Sequence, residues 1–142
     1  MNRAKQIVLA AAIVPLTYLT GGPAAAQSDP ILEQNGVRYA CTGIAESAQD
    51  PRWKSFPLKL VFATEPVGAL LSGVRARIQA PGGGQVLAAH CPDSPWLMAG
   101  LAPGRYRVTA SIEGRFVRSV SITIRAGKQS YVVIRFPAAA NH

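Results

Sequence analysis

The sequence predicts an all-β protein, a single antiparallel β-sandwich of about seven strands. Three observations carry that expectation. Apolar and polar residues alternate through most of the chain beyond Pro57. Turn-forming residues interrupt the alternation about every ten positions, the spacing of a sandwich or barrel. At 142 residues the chain has the size of one domain and can bury a core of its own.

The first segment is not part of that sandwich. Met1 to Gln6 carries Arg3 and Lys5 and no acid, Ile7 to Leu19 is almost wholly apolar, and Ala24-Ala25-Ala26 precedes Gln27. A basic head, an apolar run and small residues at the end make a secretory signal peptide, residues 1–26. The run is shorter than the roughly 20 apolar residues of a membrane span and closes in Gly and Pro. Neither cysteine lies near the cleavage point, so no residue is placed for N-terminal lipidation. The expectation is a periplasmic or secreted protein with no transmembrane span in its mature form.

Residues 27–56 read as an N-terminal strand and a polar loop. Val37, Tyr39 and Cys41 alternate with polar neighbours. The stretch from Ile44 to Phe56 then loses the alternation. Ala45 to Gln49 can form one short helical turn, which Asp50-Pro51 ends, because a residue before proline avoids the helical region. Long connections often carry function, so Arg52, Trp53 and Lys54 are a candidate contact loop.

Residues 57–137 form the sandwich body. Leu58, Leu60 and Phe62 make one inward set, with Lys59 outward. Val74, Ala76, Ile78 and Ala80 alternate with Arg75, Arg77 and Gln79. Tyr106, Val108, Ala110 and Ile112 alternate with Arg105, Arg107, Thr109, Ser111 and Glu113. Val120, Ile122 and Ile124 make a further set, and Val132, Ile134 and Phe136 another. Strands patterned like this have one face in a core and one in water. Pro81-Gly82-Gly83-Gly84, Pro103-Gly104, Glu113-Gly114 and Ala126-Gly127-Lys128 separate the runs. Residues 82–84 are not a phosphate loop, because no Lys or hydroxyl residue and no helix follows them. Residues 138–142 read as a disordered tail.

The two cysteines, Cys41 and Cys91, are an even pair in an exported chain, which favours one disulfide. Cys41 shares the phase of Val37 and Tyr39, and Cys91 that of Leu87 and Ala89, so both sulfurs can face one core. His90 and Cys91, as neighbours on a strand, point to opposite faces and cannot chelate together. No metal site, no cofactor and no catalytic residue is assigned. A hydrolase needs a base, a nucleophile and an orienting group, and His90 is the one histidine outside the tail and the signal segment. The expectation is not an enzyme.

At Leu101-Ala102-Pro103-Gly104-Arg105-Tyr106-Arg107-Val108-Thr109-Ala110 the sequence resembles the carboxypeptidase regulatory-like domain, a transthyretin-like sandwich related in architecture to Ig-like folds. The likeness runs from about Pro57 to Phe136, through Leu58–Ala63, Val74 with Ile78, and Pro95-Trp96-Leu97. It implies a small exported bacterial protein of this kind. Such domains accompany peptidases without being the peptidase.

Charge adds the functional expectation. The chain holds 15 Lys and Arg against 7 Asp and Glu, a net charge of +8, which falls by two when Arg3 and Lys5 leave with the signal peptide. Arg75, Arg77, Arg105 and Arg107 fall on outward phases and form a candidate anion-binding face if their strands pair. Directly opposite side chains would sit about 5 Å apart, close enough to repel without an anion. Guanidinium forks suit carboxylate and phosphate. Candidate partners are an anionic envelope glycan, a lipid headgroup or an acidic protein; the compartment disfavours nucleic acid. Two alternatives stand beside this: a purely structural interaction module of an envelope assembly, and a carbohydrate-binding module using Trp53 as an exposed stacking platform, against which stands the reading that Trp53 caps the open end of the sandwich.

Overall fold

A computed structural model describes residues 29–141; residues 1–26, expected from the sequence to be a signal peptide, lie outside the described residues. Nine strands follow one another: β1 (Leu32–Gln34), β2 (Val37–Thr42), β3 (Leu58–Thr64), β4 (Val74–Gln79), β5 (Gln85–Cys91), β6 (Trp96–Ala99), β7 (Gly104–Ile112), β8 (Phe116–Ile124) and β9 (Ser130–Phe136). Three short 3-10 turns, Ala45–Gln49, Pro51–Ser55 and Ala138–Asn141, complete the described elements.

The strands form two sheets packed face to face. The first holds five, in the order β1-β2-β6-β3-β9; the second holds four, in the order β5-β4-β7-β8. The all-β sandwich is therefore as the alternation predicts. Two details differ. There are nine strands because β1 and β6, at three and four residues, are too short for alternation to reveal. One pair, β3 with β9, is parallel, with Leu58 beside Ser130 and Thr64 beside Phe136. That pairing joins segments far apart in sequence, and alternation carries no sign of strand direction.

The inward phases meet in one core. Leu58, Leu60 and Phe62 of β3 pack with Val74, Ala76 and Ile78 of β4, Val108 and Ala110 of β7, and Ile134 and Phe136 of β9. Burying each of the large side chains stabilises the fold by about 1.5–3 kcal/mol. The last residues join this core instead of trailing away. Ala138–Asn141 turns back, and Ala140 is buried against the cluster. Ala138–Asn141, expected as part of a disordered tail, is a 3-10 turn here, with Ala138 and Ala139 exposed.

Both open sides of the sandwich are closed by side chains. On one side Cys41 of β2 is bonded to Cys91 of β5, with Cα atoms 5.4 Å apart. Close by, the Gln34 amide mimics a strand. Its Nε2 donates to the Ala88 carbonyl at 3.0 Å, and its Oε1 accepts from the Ala88 N–H at 2.7 Å. On the other side, Arg118 Nε donates to the Arg135 carbonyl at 3.0 Å and Ser130 Oγ to the Thr123 carbonyl at 2.9 Å. Unpaired backbone at a sheet edge invites association with other chains, and these bonds occupy part of it. The disulfide is the bond of an oxidising, extracytoplasmic compartment.

The Pro103-Gly104 turn shows why its residues recur together. Gly104 sits at φ +149°, a region open mainly to glycine. The chain then reverses into β7, and the Tyr106 hydroxyl donates back to the Ala102 carbonyl at 2.7 Å. The tyrosine locks the turn that the Pro-Gly pair starts.

Candidate anion-binding face

The outer face of the four-stranded sheet is set by its register. β4 and β7 are antiparallel neighbours, with Arg75 opposite Ser111, Arg77 opposite Thr109 and Gln79 opposite Arg107. Arg105 lies one step further along β7, opposite Thr123 of β8. All four arginines are exposed and share one face. They do not stand directly opposite one another, as the sequence-based expectation assumed. Each is paired with a neutral residue, so the closest pair across β4 and β7, Arg77 and Arg107, is diagonal. The stagger eases the repulsion without removing it.

The other outward positions of the four strands hold no Lys, Asp or Glu, and His90 is the one imidazole among them. β8 contributes Ser119, Ser121 and Thr123 beside Thr109, Arg107 and Arg105. Thr109 Oγ1 and Ser119 Oγ are 3.2 Å apart and share a hydrogen bond. β5 contributes His90 beside Arg75 and Ala88 beside Arg77. No Asp or Glu occurs in β4, β5, β7 or β8. Among the described residues the one ion pair joins Arg52 to Asp50, elsewhere in the molecule. Among the described residues none of the four arginines forms an ion pair, and the nearest acid along these strands is Glu113, just past the end of β7.

Two hollows lie along the arginines. One, about 410 Å³, is lined by Arg75, Arg77, Ala88, His90, Thr109 and Ser111. The other, about 610 Å³, is lined by Gln79, Arg105, Arg107, Ser121 and Thr123 together with the Pro81–Gly83 hairpin. Their cause is simple: small residues such as Ala88 and Ser111 sit between long arginine side chains. Each hollow has two guanidinium groups at its rim.

The second candidate, the loop of Arg52, Trp53 and Lys54, is built differently. Asp50 caps the Pro51–Ser55 turn, its Oδ1 accepting from the Arg52 N–H at 2.9 Å. Arg52 is held by Asp50 and by the Asp29 carbonyl, and its guanidinium lies 4.8 Å from the centre of the Trp53 ring. Trp53 is only 4 % exposed, and its indole N–H donates to the Ser47 carbonyl at 2.7 Å. It packs with Phe56, Ala40 and Met98 on the outer face of the five-stranded sheet. The exposed stacking platform is thus corrected: the loop folds inward because the outer side of β2 and β6 is apolar and needs a cover. Of the three loop residues, Arg52 and Trp53 are committed to structure, while Lys54 remains exposed.

Trp96 is half-buried on this same outer side. Its ring lies against Gly43, where an added Cβ would come within 2.5 Å of ring carbon. Lys59 Nζ sits 3.6 Å from the Trp96 ring centre and 5.0 Å from that of Tyr131. Burial pushes the Lys59 pKa below its usual value.

His90 is exposed beside Arg75 and Cys91 is turned into the core, so the pair cannot converge on an ion. Among the described residues no three of His, Cys, Asp and Glu gather as a metal ion requires, and no helix is long and apolar enough to cross a membrane. Sequence reasoning missed two participants. Gln34 carries no signal in a three-residue strand. The hydroxyls of β7 and β8 were visible as outward phases, but only the register shows that they flank the arginines.

The fold and this face together define a disulfide-bonded β-sandwich with one basic, open sheet. No family model matches the sequence, and no curated protein matches it at the level of sequence. Among solved structures, it is similar to the GBS52 minor pilin of the gram-positive pathogen Streptococcus agalactiae, with 15% sequence identity and a TM-score of 0.48. The match covers 72% of this chain and 60% of that one, less than two thirds of the pilin's length. At that distance a shared outline does not carry function across.

Proposed function

We propose that this chain is a non-catalytic module of the cell envelope, periplasmic or secreted, that binds an anionic partner through the outer face of β4 and β7. The observation that carries the reading is the single-sign face: Arg75, Arg77, Arg105 and Arg107 exposed together with no acid in the four strands. Guanidinium groups gathered without counter-charge cost stability, and a bound anion removes that cost. We further read the sandwich as one of the carboxypeptidase regulatory-like kind, supported by the Leu101–Ala110 segment and its Tyr106 bond to Ala102. Residues 1–26 are the proposed signal peptide and 27–56 the strand-and-loop cover of a body ending near residue 137.

A second reading, a structural interaction module of an envelope assembly, is favoured by Tyr131 and Val133, which are exposed on edge strand β9. The two readings separate in one experiment. Protein retained on immobilised anionic glycan is challenged with salt from about 0.05 to about 0.5 M, which shortens the screening length several-fold. The first reading predicts steep release, and loss of retention in an Arg75→Ser, Arg107→Ser double variant that melts like the parent. Equal retention by parent and double variant leaves the arginines as a solubilising surface.

A further inference from the structure

The order of the arginines says more than their number. On an antiparallel pair, successive same-face positions are separated by two residues, about 7 Å. Arg75 and Arg77 occupy the first two levels on β4, and Arg107 and Arg105 the next two on β7. The four guanidinium stems thus form a single file about 20 Å long, with one lateral step between strands. Uncharged donors and acceptors accompany the file: Thr109 and Ser119 beside Arg77, Gln79 and Ser121 beside Arg107, Thr123 beside Arg105. The two hollows lie end to end along it, one at each arginine pair.

We propose that the occupant of this face is a linear anionic polysaccharide, one that carries a carboxylate, sulfate or phosphate on successive sugars and spans both hollows. The proposal rests on the anion-binding reading above and specifies the ligand for that site. Three features favour this ligand. A file matches a one-dimensional array of charges; a single headgroup fills one hollow and leaves two arginines unused. The Ser, Thr and Gln groups between the charges match sugar hydroxyls, which donate and accept in turn. Strands β4, β5, β7 and β8 place no Phe, Tyr or Trp on the outward positions of the file, and His90 beside Arg75 is the one ring there, so the file offers no run of platforms on which successive nucleic-acid bases stack. Two pairs linked by one ligand bind by effective concentration, so a chain long enough to reach both gains far more than twice the affinity of a short one.

The test uses the mature protein and size-fractionated oligogalacturonates, one carboxylate per sugar, in a calorimetric or fluorescence titration. A long oligomer is expected to bind at least about a hundredfold more tightly than the disaccharide. Its log affinity should fall with log salt with a slope of about three, dropping to about half that in either Arg75→Ser, Arg77→Ser or Arg105→Ser, Arg107→Ser. Either double variant alone should bring the long oligomer close to the disaccharide. Disaccharide and long oligomer binding equally well overturns the linear ligand while leaving anion binding intact. No binding by oligogalacturonate, inorganic phosphate or anionic phospholipid vesicles sinks the underlying reading as well. Tighter binding to single-stranded oligonucleotide, poly-glutamate or phospholipid vesicles at matched charge overturns the polysaccharide in favour of that class.

Discussion

The two sheets share one core, yet their outer faces are opposites. The five-stranded sheet carries apolar residues outward, Ala40, Met98 and part of Trp96, and the chain folds Trp53 and Phe56 over them. Three basic residues on this side are engaged: Arg38 lies 5.5 Å from the Phe56 ring centre, Arg52 against Trp53, Lys59 against Trp96; Lys54 and Arg135 are exposed. The four-stranded sheet has no cover. Its outward arginines make no ion pair and stack on no Phe, Tyr or Trp; Arg75 stands beside His90. Charge count alone would treat these cations alike. Cations stacked on rings are part of the packing, whereas the unengaged ones are available to a ligand.

The comparison can be broken in several places, and the largest expected effect is on the link between the sheets. Replacing both cysteines by serine should destabilise the protein by about 4 kcal/mol, from the loop of 50 residues that the bond closes. Denaturant unfolding measures it, and a loss below about 1 kcal/mol would show that the Gln34 and β8–β9 bonds already hold the sandwich closed. Trp53→Ala comes next. It removes a buried indole and one of the two hydrogen bonds that the Ser47 carbonyl accepts, at a cost of about 3 kcal/mol; a change near zero would mean the loop does not cover the sheet in solution. Gln34→Ala should cost about 1 kcal/mol and speed hydrogen exchange at the Ala88 amide. Unchanged exchange there would place the amide bond elsewhere. Arg75→Ser with Arg107→Ser should move stability least, within about 0.5 kcal/mol, because both side chains are exposed and unpaired. A large loss in that variant would mean the arginines serve the fold.

The sequence made the core strands readable because each inward position there is apolar and each neighbour polar; β4, with Val74, Ala76 and Ile78 buried between exposed arginines, is the clearest case. The disulfide was readable from phase and compartment. Three things were not. The parallel joining of β3 and β9 depends on tertiary proximity that no local pattern encodes. Trp53 sits in a polar stretch, and only the apolar outer side of β2 and β6 explains why it turns inward. The file of arginines required the register: Arg77 opposite Thr109 and Gln79 opposite Arg107 is a statement about pairing, while the sequence shows only that all four point outward.

The N-terminal segment offers its own check. Protein recovered from outside the cytoplasm is expected to begin at Gln27, with Ala24 and Ala26 at the small-residue positions before the cut. Intact Met1 on exported protein would remove the signal peptide from the account.

The central claim is that one sheet face, and not the other, receives an anion. Nuclear magnetic resonance of the arginine Nε–H groups during titration with oligogalacturonate tests it residue by residue. The account predicts shifts at Arg75, Arg77, Arg105 and Arg107 that saturate together and vanish at high salt, while Arg38 and Arg52, held over their aromatic rings, stay still. Shifts centred on Arg38, Arg52 or the Lys59 side, or no shift at the four arginines while the oligomer binds, would contradict it.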